Sequence, residues 1–393
     1  MQKNIVILGA GFGGLQAALR LSKKLKYKDL NEKYSVILID RNPFHTLTPL
    51  LYEIAATSPE TASNLKLQDL VSFSINALVA YRHIGFMNDE VAGIDAARKK
   101  IRLSRSEIDF EYLINALGSE VNYFDIPGLK ENALVLKTFG NALKIRDRIH
   151  YKEKARVIIG GGGPTGVELA GEIKSWNIGA EVTIVESAPR ILAAMDERVS
   201  KKAERRLKKL GVSIIAGTKI IKASSETVFL SNGDKKDCDA IIWTGGVKAN
   251  SLMGNRIETP GNTNVSDNIY AIGDISSIIN PETKKPAPWM ARPAMTEGRI
   301  AALNIFQKIL LEEKIMEYPK FREYKHRNYP YIAPVGGKYA IAKIGPFIIS
   351  GLPAWIFKGF TELNYFISIM PISQALKVWF KGLIIFIKND RLG

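Results

Sequence analysis

A chain that twice passes from an apolar strand through clustered glycines into a helix has few folds open to it. Here Asn4-Ile5-Val6-Ile7-Leu8 leads into Gly9-Ala10-Gly11-Phe12-Gly13-Gly14, and Arg156-Val157-Ile158-Ile159-Gly160 leads into Gly161-Gly162-Gly163-Pro164-Thr165-Gly166. One GxGxxG alone is weak, since glycine turns are common. Each of these has a strand before it, a helical stretch after it and an acid ending a second strand, and that context is specific. The first glycine permits the tight turn, the second lets a pyrophosphate approach the backbone, and the third lets helix and strand pack closely. The N–H groups opening the helix then face the phosphates. Asp40 ends Ser35-Val36-Ile37-Leu38-Ile39, and Glu186 ends Val182-Thr183-Ile184-Val185. A carboxylate there accepts hydrogen bonds from a ribose 2′-OH and repels a 2′-phosphate. The polar stretch from Lys23 to Lys33 reads as an insertion lengthening the first unit. The alternative, two ordinary turns beside solvated acids, leaves the double coincidence without a cause.

Two dinucleotides on one chain suggest electron transfer between a fixed flavin and an exchanging nicotinamide. Strand–helix alternation from residue 1 to about 120, a linker at Asp125-Ile126-Pro127-Gly128 and a return at Asn268-Ile269-Tyr270-Ala271-Ile272-Gly273-Asp274 describe one nucleotide domain interrupted by another. The division read from sequence is 1–122 with 262–330 for FAD, 123–261 for NAD(H), and 331–393 for a C-terminal segment. The expected fold class is α/β: two Rossmann-like dinucleotide-binding domains, the NAD domain inserted in the FAD domain, plus a C-terminal amphipathic helical segment that docks on a membrane. Asp274, where a strand ends in Gly-Asp, is placed to bind the ribityl hydroxyls of a flavin.

With 393 residues, 46% hydrophobic and 24% charged, the chain can bury large cores and is not of disordered composition. The one cysteine, Cys238, excludes an intrachain disulfide, a Cys-based zinc cluster and a redox-active cysteine pair, and no metal site is expected. It enters the apolar run Ala240-Ile241-Ile242 and reads as structural. The first strand begins almost at Met1, so no signal peptide is expected and the nucleotide domains are placed in the cytoplasm.

A net charge of +16 asks for an anionic partner, either nucleic acid or a membrane. Residues 321–393 hold ten Lys/Arg against three Asp/Glu, interleaved with Ile, Phe, Leu and Trp. No charge-free run there reaches the ~18 residues needed to span a bilayer. Helical spacing fits better: Lys358, Thr361, Glu362, Tyr365 and Ser368 form a polar face opposite Trp355, Ile356, Phe360, Leu363, Ile367 and Met370. After Pro371, the stripe Lys377, Lys381 and Lys388 opposes Leu376, Val378, Trp379, Phe380, Leu383, Ile384, Phe386 and Ile387. Such helices suit the headgroup boundary of an anionic membrane, with the lysines toward the surface. A pair of core helices or a homodimer contact is the other use of these faces. Nucleic acid is not expected, as the basic residues belong to no recognised binding module.

Assembled, these residues resemble the two-dinucleotide-binding-domain flavoproteins and, within them, the type II NADH dehydrogenases (NADH:quinone oxidoreductases). The resemblance rests on Phe44-His45-Thr46-Leu47-Thr48-Pro49-Leu50-Leu51-Tyr52-Glu53-Ile54-Ala55, Gly163-Pro164-Thr165-Gly166-Val167-Glu168-Leu169-Ala170-Gly171-Glu172, Ile242-Trp243-Thr244-Gly245-Gly246-Val247 and Gly351-Leu352-Pro353-Ala354-Trp355. It implies FAD contacts from Gly9 through Gly14 and from Asp40, Arg41, His45, Val91, Gly118, Asp274, Ala291 and Arg292. NADH would meet Gly161, Gly163, Pro164, Thr165, Gly166, Glu186 and Gly245. Glu172 matches an acid near the nicotinamide and quinone pockets, where it relays protons or steers substrate. Two departures stand out. Ala291-Arg292 occupies a place where the family usually has Ala-Gln, and Glu362 lies near where its anchor often carries His. A guanidinium donates hydrogen bonds and cannot accept them, so Arg292 would favour an anionic reduced flavin or an oxygen-rich acceptor.

The resemblance implies a hydride from NADH to FAD, then two electrons to a membrane quinone, without proton pumping, at the cytoplasmic face of the cell membrane. A sulfide:quinone oxidoreductase or a disulfide reductase would need paired cysteines near the flavin. A reductase of a ferredoxin-like protein would not need the apolar tail. A flavin- and NADH-binding interaction protein without turnover is the reading from another class.

Overall fold

The computed structural model describes residues 2–388. It contains two compact units. The first gathers the described residues of Met1–His45, Phe73–Glu120 and Val247–Arg327; the second gathers those of Thr46–Ser72, Val121–Gly246 and Asn328–Gly393.

In the first unit, Lys3–Leu8 is the centre of a six-stranded sheet. Its order is Asn264–Ser266, Ile269–Ala271, Tyr112–Asn115, Lys3–Leu8, Tyr34–Asp40 and Ile84–Asn88, parallel except at the Asn264–Ser266 edge. Ile5, Val6, Ile7 and Leu8 are fully buried. An unbroken apolar run is what a parallel strand covered on both faces requires. The helices Phe12–Tyr27 and Ala291–Glu312 pack together, and their close approach depends on glycine. A Cβ added at Gly298 would stand 2.3 Å from the Gly13 carbonyl oxygen.

In the second unit a five-stranded parallel sheet runs Ala133–Val135, Ala240–Trp243, Arg156–Gly160, Glu181–Glu186, Ser213–Ala216. Ile158, Val185, Ile241 and Trp243 form a core with Cys238, which is fully buried. Burial pushes the Cys238 thiol up to about 11, leaving it unreactive at neutral pH. Two Rossmann-like sheets thus stand where the two fingerprints place them.

The sequence division keeps Thr46–Ser72 with the first domain; in the structure it groups with the second unit. The cause is packing. Every residue of the helix Leu51–Ala56 is buried, and that helix lies on Phe139–His150 and Pro164–Trp176. Arg146 fixes the following turn by donating to the carbonyls of Thr57, Ser58 and Ala62, and His150 bonds the Ala56 carbonyl.

The chain ends in an antiparallel sheet, Tyr331–Pro334, Ala340–Ile344 and Phe347–Gly351, then the helices Leu352–Ile369 and Ile372–Phe386. Residues 389–393 of the segment assigned to membrane docking lie outside the described residues. No helix among the described residues is long and apolar enough to cross a membrane.

Candidate functional site

Both fingerprints fold into the same cradle. Gly9 has φ +96°, and a Cβ there would meet the Ala116 carbonyl oxygen at 2.4 Å; at Gly14 it would meet the Gly9 oxygen at 1.9 Å. Gly161 (φ +110°) and Gly166 repeat this, with added Cβ atoms 2.6 Å from the Gly245 Cα and 2.0 Å from the Gly161 oxygen. The middle glycines behave oppositely: around Gly11 and Gly163 a Cβ would meet nothing within 4 Å. Glycine is thus demanded at the outer positions by the protein itself, and leaves space at the middle one for something outside it. No side chain caps the helices that start at Phe12 and Pro164, although Thr138 and Asp196 cap other helices of the second unit. An uncapped helix start beside an open glycine fits a bound phosphate.

The strand-end acids are clamped alike. Asp40 Oδ2 accepts the Ala10 N–H at 2.7 Å and its Oδ1 the Asn42 N–H at 2.8 Å. Glu186 Oε2 accepts the Gly162 N–H at 2.6 Å and its Oε1 the Ala188 N–H at 2.7 Å. In each case the acid holds the residue after the first glycine, so one carboxylate both orients the turn and retains lone pairs for a ribose. Sequence reasoning gave these acids only the ribose.

The remaining first-unit residues divide. His45 is buried with Nδ1 2.8 Å from the Ala10 carbonyl, and burial lowers its pKa, so the neutral ring donates to the fingerprint backbone. Asp274 Oδ2 accepts the Ser119 hydroxyl at 2.6 Å, and its carbonyl accepts the Trp289 indole at 2.9 Å. Gly118 takes φ +73°, and its carbonyl accepts the Asn250 N–H at 3.1 Å. Val91 packs against the core around Val6, Leu8 and Ile39. Arg41 stands on the surface, paired with Glu90 at 3.2 Å. Ala291 and exposed Arg292 open the helix Ala291–Glu312, which also lacks a side-chain cap. Sequence reasoning missed Glu297. It is buried, accepts the Gly273 N–H at 2.7 Å and so fixes the turn presenting Asp274; burial pushes its carboxyl up to about 7. Its polar type on an apolar helix face was the available signal.

In the second unit, Gly245 abuts Gly161, and Thr244 Oγ1 donates to the carbonyls of Gly160 and Gly161. Pro164, at the first helical turn, and half-buried Thr165 follow the cradle. Glu172 is buried, with Oε1 accepting the Trp176 indole N–H at 3.0 Å and Oε2 the Gly337 N–H at 3.2 Å. It therefore ties the helix Pro164–Trp176 to the C-terminal sheet.

The C-terminal helices show what their polar positions meet. Lys358, Glu362 and Tyr365, from the polar positions of the helix Leu352–Ile369, point into the protein; Ile356, Phe360 and Ile367 are 47, 55 and 42% exposed. Lys358 bonds Glu53 Oε1 at 2.5 Å and lies 2.6 Å from Glu362 Oε1. On the last helix Leu376, Phe380 and Ile384 face outward, as does Ile387 just beyond it, and Lys381 pairs with Asp69 at 2.5 Å. The helix Leu352–Ile369 is amphipathic as expected, with Lys358 and Glu362 inside and Ile356, Phe360 and Ile367 outside, while Lys377 and Lys388 are exposed.

A type II NADH:quinone oxidoreductase of Staphylococcus saprophyticus is 25% identical over 96% of this chain and 98% of its own length. Among solved structures, NDH2 from Plasmodium falciparum in complex with NADH superposes with a TM-score of 0.81, at 18% identity, over 99% of this chain and 98% of that one. The sulfide:quinone oxidoreductase of Aquifex aeolicus gives 0.75 at 18% identity, over 98% and 96%. These structural likenesses establish the fold. Residues 3–298 match the pyridine nucleotide-disulphide oxidoreductase family, and the chain belongs to it.

Proposed function

We propose that this protein is an FAD-dependent NADH:quinone oxidoreductase held peripherally on a membrane by its C-terminal helices. The observation that carries the reading is the pair of cradles, each open at its middle glycine, Gly11 and Gly163, and each clamped by its own acid. Two dinucleotides must be held, and the named function of the staphylococcal relative, similar over nearly the whole chain, supplies the pairing of NADH with a quinone. Bound FAD supplies the two-electron chemistry between them.

The chain's residues position and select. The first cradle, Asp40, His45, Gly118, Asp274 and the start of the Ala291 helix would hold FAD. The second cradle, Glu186 and Gly245 would hold NADH, and the Glu186 carboxylate disfavours a 2′-phosphate. Arg292 would place a fixed positive charge and hydrogen-bond donors toward the acceptor side. Glu172, bound at both oxygens, would act by positioning the C-terminal sheet or steering the acceptor. The domain boundaries 1–122 with 262–330, 123–261 and 331–393 belong to this proposal as a division by function, with Thr46–Ser72 packing in the second unit.

The outward apolar stripe of the last two helices supports docking in the interface of a membrane, and its cytoplasmic face is part of the same proposal. A homodimer contact is the competing use of the stripe. Cys238, single and buried, argues against sulfide or disulfide chemistry. The test is turnover: purified, FAD-loaded protein with NADH and a soluble quinone should oxidise NADH continuously. Flavin reduction that stops at one equivalent would defeat the enzyme reading.

A further inference from the structure

In the second unit two carboxylates share one ammonium under an apolar cleft. Glu53 Oε1 accepts from Tyr52 Oη at 2.8 Å and from Lys358 Nζ at 2.5 Å, while buried Glu53 Oε2 has no hydrogen-bond partner. Lys358 also touches Glu362, one helical turn on. Among the described residues Lys358 is the one cation in ion-pair contact with either acid. The surrounding elements add no second one. The helix Pro164–Trp176 faces the cluster with Glu168 and Glu172. Arg146 and His150 of the helix Phe139–His150 bond backbone carbonyls, and Lys381 of the last helix pairs with Asp69.

Glu53, Lys358 and Glu362 form the polar floor of a cavity of about 170 Å³, otherwise walled by Leu50, Leu70, Trp355, Phe360, Phe366 and Trp379. A cavity of about 150 Å³ admits a benzene ring, so one six-membered ring fits. With one cation shared between it and buried Glu53, Glu362 is costly to keep ionised, and a proton on it relieves the excess charge.

We propose that Glu362, bridged to Glu53 by Lys358, holds a proton and delivers it to a carbonyl oxygen of a quinone ring seated in this cleft. This rests on the quinone reading of the function. Burial pushes the Glu362 carboxyl up, the Glu53 carboxylate pushes the same way, and Lys358 opposes. Glu168, pushed up to about 8 by burial, adds no charge at neutral pH.

The step balances. Quinone to hydroquinone takes two electrons, which NADH oxidation supplies, and two protons. The carboxyl O–H bond breaks as an O–H bond forms on one quinone oxygen. The carboxylate left behind is held by Lys358 and takes its next proton from water; the other quinone oxygen is protonated by water directly.

The test compares quinone with ferricyanide, an acceptor that takes electrons without protons, in wild type, Glu362→Gln and Glu53→Gln. The ratio of quinone to ferricyanide turnover should fall at least about tenfold in each variant, as loss of a general acid does. Quinone turnover in wild type should decline as pH rises, and the decline should flatten in Glu362→Gln. Independently of turnover, the infrared difference spectrum of wild type minus Glu362→Gln should show a protonated-carboxyl band that titrates with pH, over and above those of Glu168 and Glu297 common to both. An unchanged ratio in an active enzyme, or no such band, overturns the proton store alone. Wild type unable to reduce quinone overturns the proposed function with it.

Discussion

Glycine-to-alanine changes inside one fingerprint should separate folding from cofactor binding. At Gly166 a new Cβ would stand 2.0 Å from the Gly161 carbonyl oxygen, far inside van der Waals contact, with the Thr244 hydroxyl at 2.9 Å. The helix Pro164–Trp176 must then move off the strand Arg156–Gly160, at a cost of about 1–3 kcal/mol for overpacking. At Gly163 the same methyl meets nothing within 4 Å, and φ is −71°. Alanine there is a poorer N-cap than glycine by roughly 0.5 kcal/mol, but it restricts the unfolded chain by a similar ~0.4–1 kcal/mol. The two effects nearly cancel. Gly166→Ala should therefore lower the melting temperature clearly. Gly163→Ala should melt like wild type yet raise the NADH concentration for half-maximal flavin reduction about tenfold or more, because its methyl occupies the space a pyrophosphate needs. Calorimetry with stopped-flow flavin bleaching checks both. Normal NADH affinity in Gly163→Ala would show that the open space is not where the dinucleotide lies.

Other consequences follow from the same geometry. Glu297 and Glu168 have folded pKa values raised by burial to about 7 and about 8, so the folded state binds their protons more tightly than the unfolded chain. Stability should be full below about pH 4.5 on this account and fall as pH rises through 7 to 8; Glu297→Gln, followed by melting temperature against pH, should flatten that slope. Phe380→Lys with Ile384→Lys on the outward stripe should release the protein from phospholipid vesicles in flotation assays without altering its melting. Retained flotation would take the stripe out of docking. Arg292→Gln should change quinone kinetics more than NADH-driven flavin reduction, and equal changes in both would remove Arg292 from the acceptor side. Glu186→Gln should narrow the preference for NADH over NADPH in kcat/KM, while an unchanged ratio would mean the acid serves only the Gly162 N–H.

The two sheets and both cradles were legible because their requirements are local: an unbroken apolar run, a glycine at positive φ, an acid at a strand end. The position of Thr46–Ser72 was not, since a short buried helix carries no mark of which neighbours bury it. The second task of Asp40 and Glu186, holding the N–H after the first glycine, was hidden for another reason. A ribose contact and a turn clamp call for the same residue at the same place. Glu297 was hidden by distance, because its partner Gly273 lies 24 residues away.

The helix Leu352–Ile369 shows what periodicity carries: it groups Lys358, Glu362 and Tyr365 on one face without naming what that face meets. A helix on a soluble surface turns its charge to water and its hydrocarbon to protein. That holds when the medium outside is water. Here the inner neighbour, the helix Leu51–Ala56, carries Glu53, and a single carboxylate buried beside Lys358 reverses the preference of that face. The opposite face, with Ile356, Phe360 and Ile367 exposed, and the exposed Phe380 and Ile384 of the last helix gain nothing from water and would gain roughly 25 cal/mol for each square ångström transferred to lipid. Sequence spacing fixes which residues share a face. Which face turns inward depends on Glu53, some 300 residues away in the chain, and on the solvent beyond the last helices.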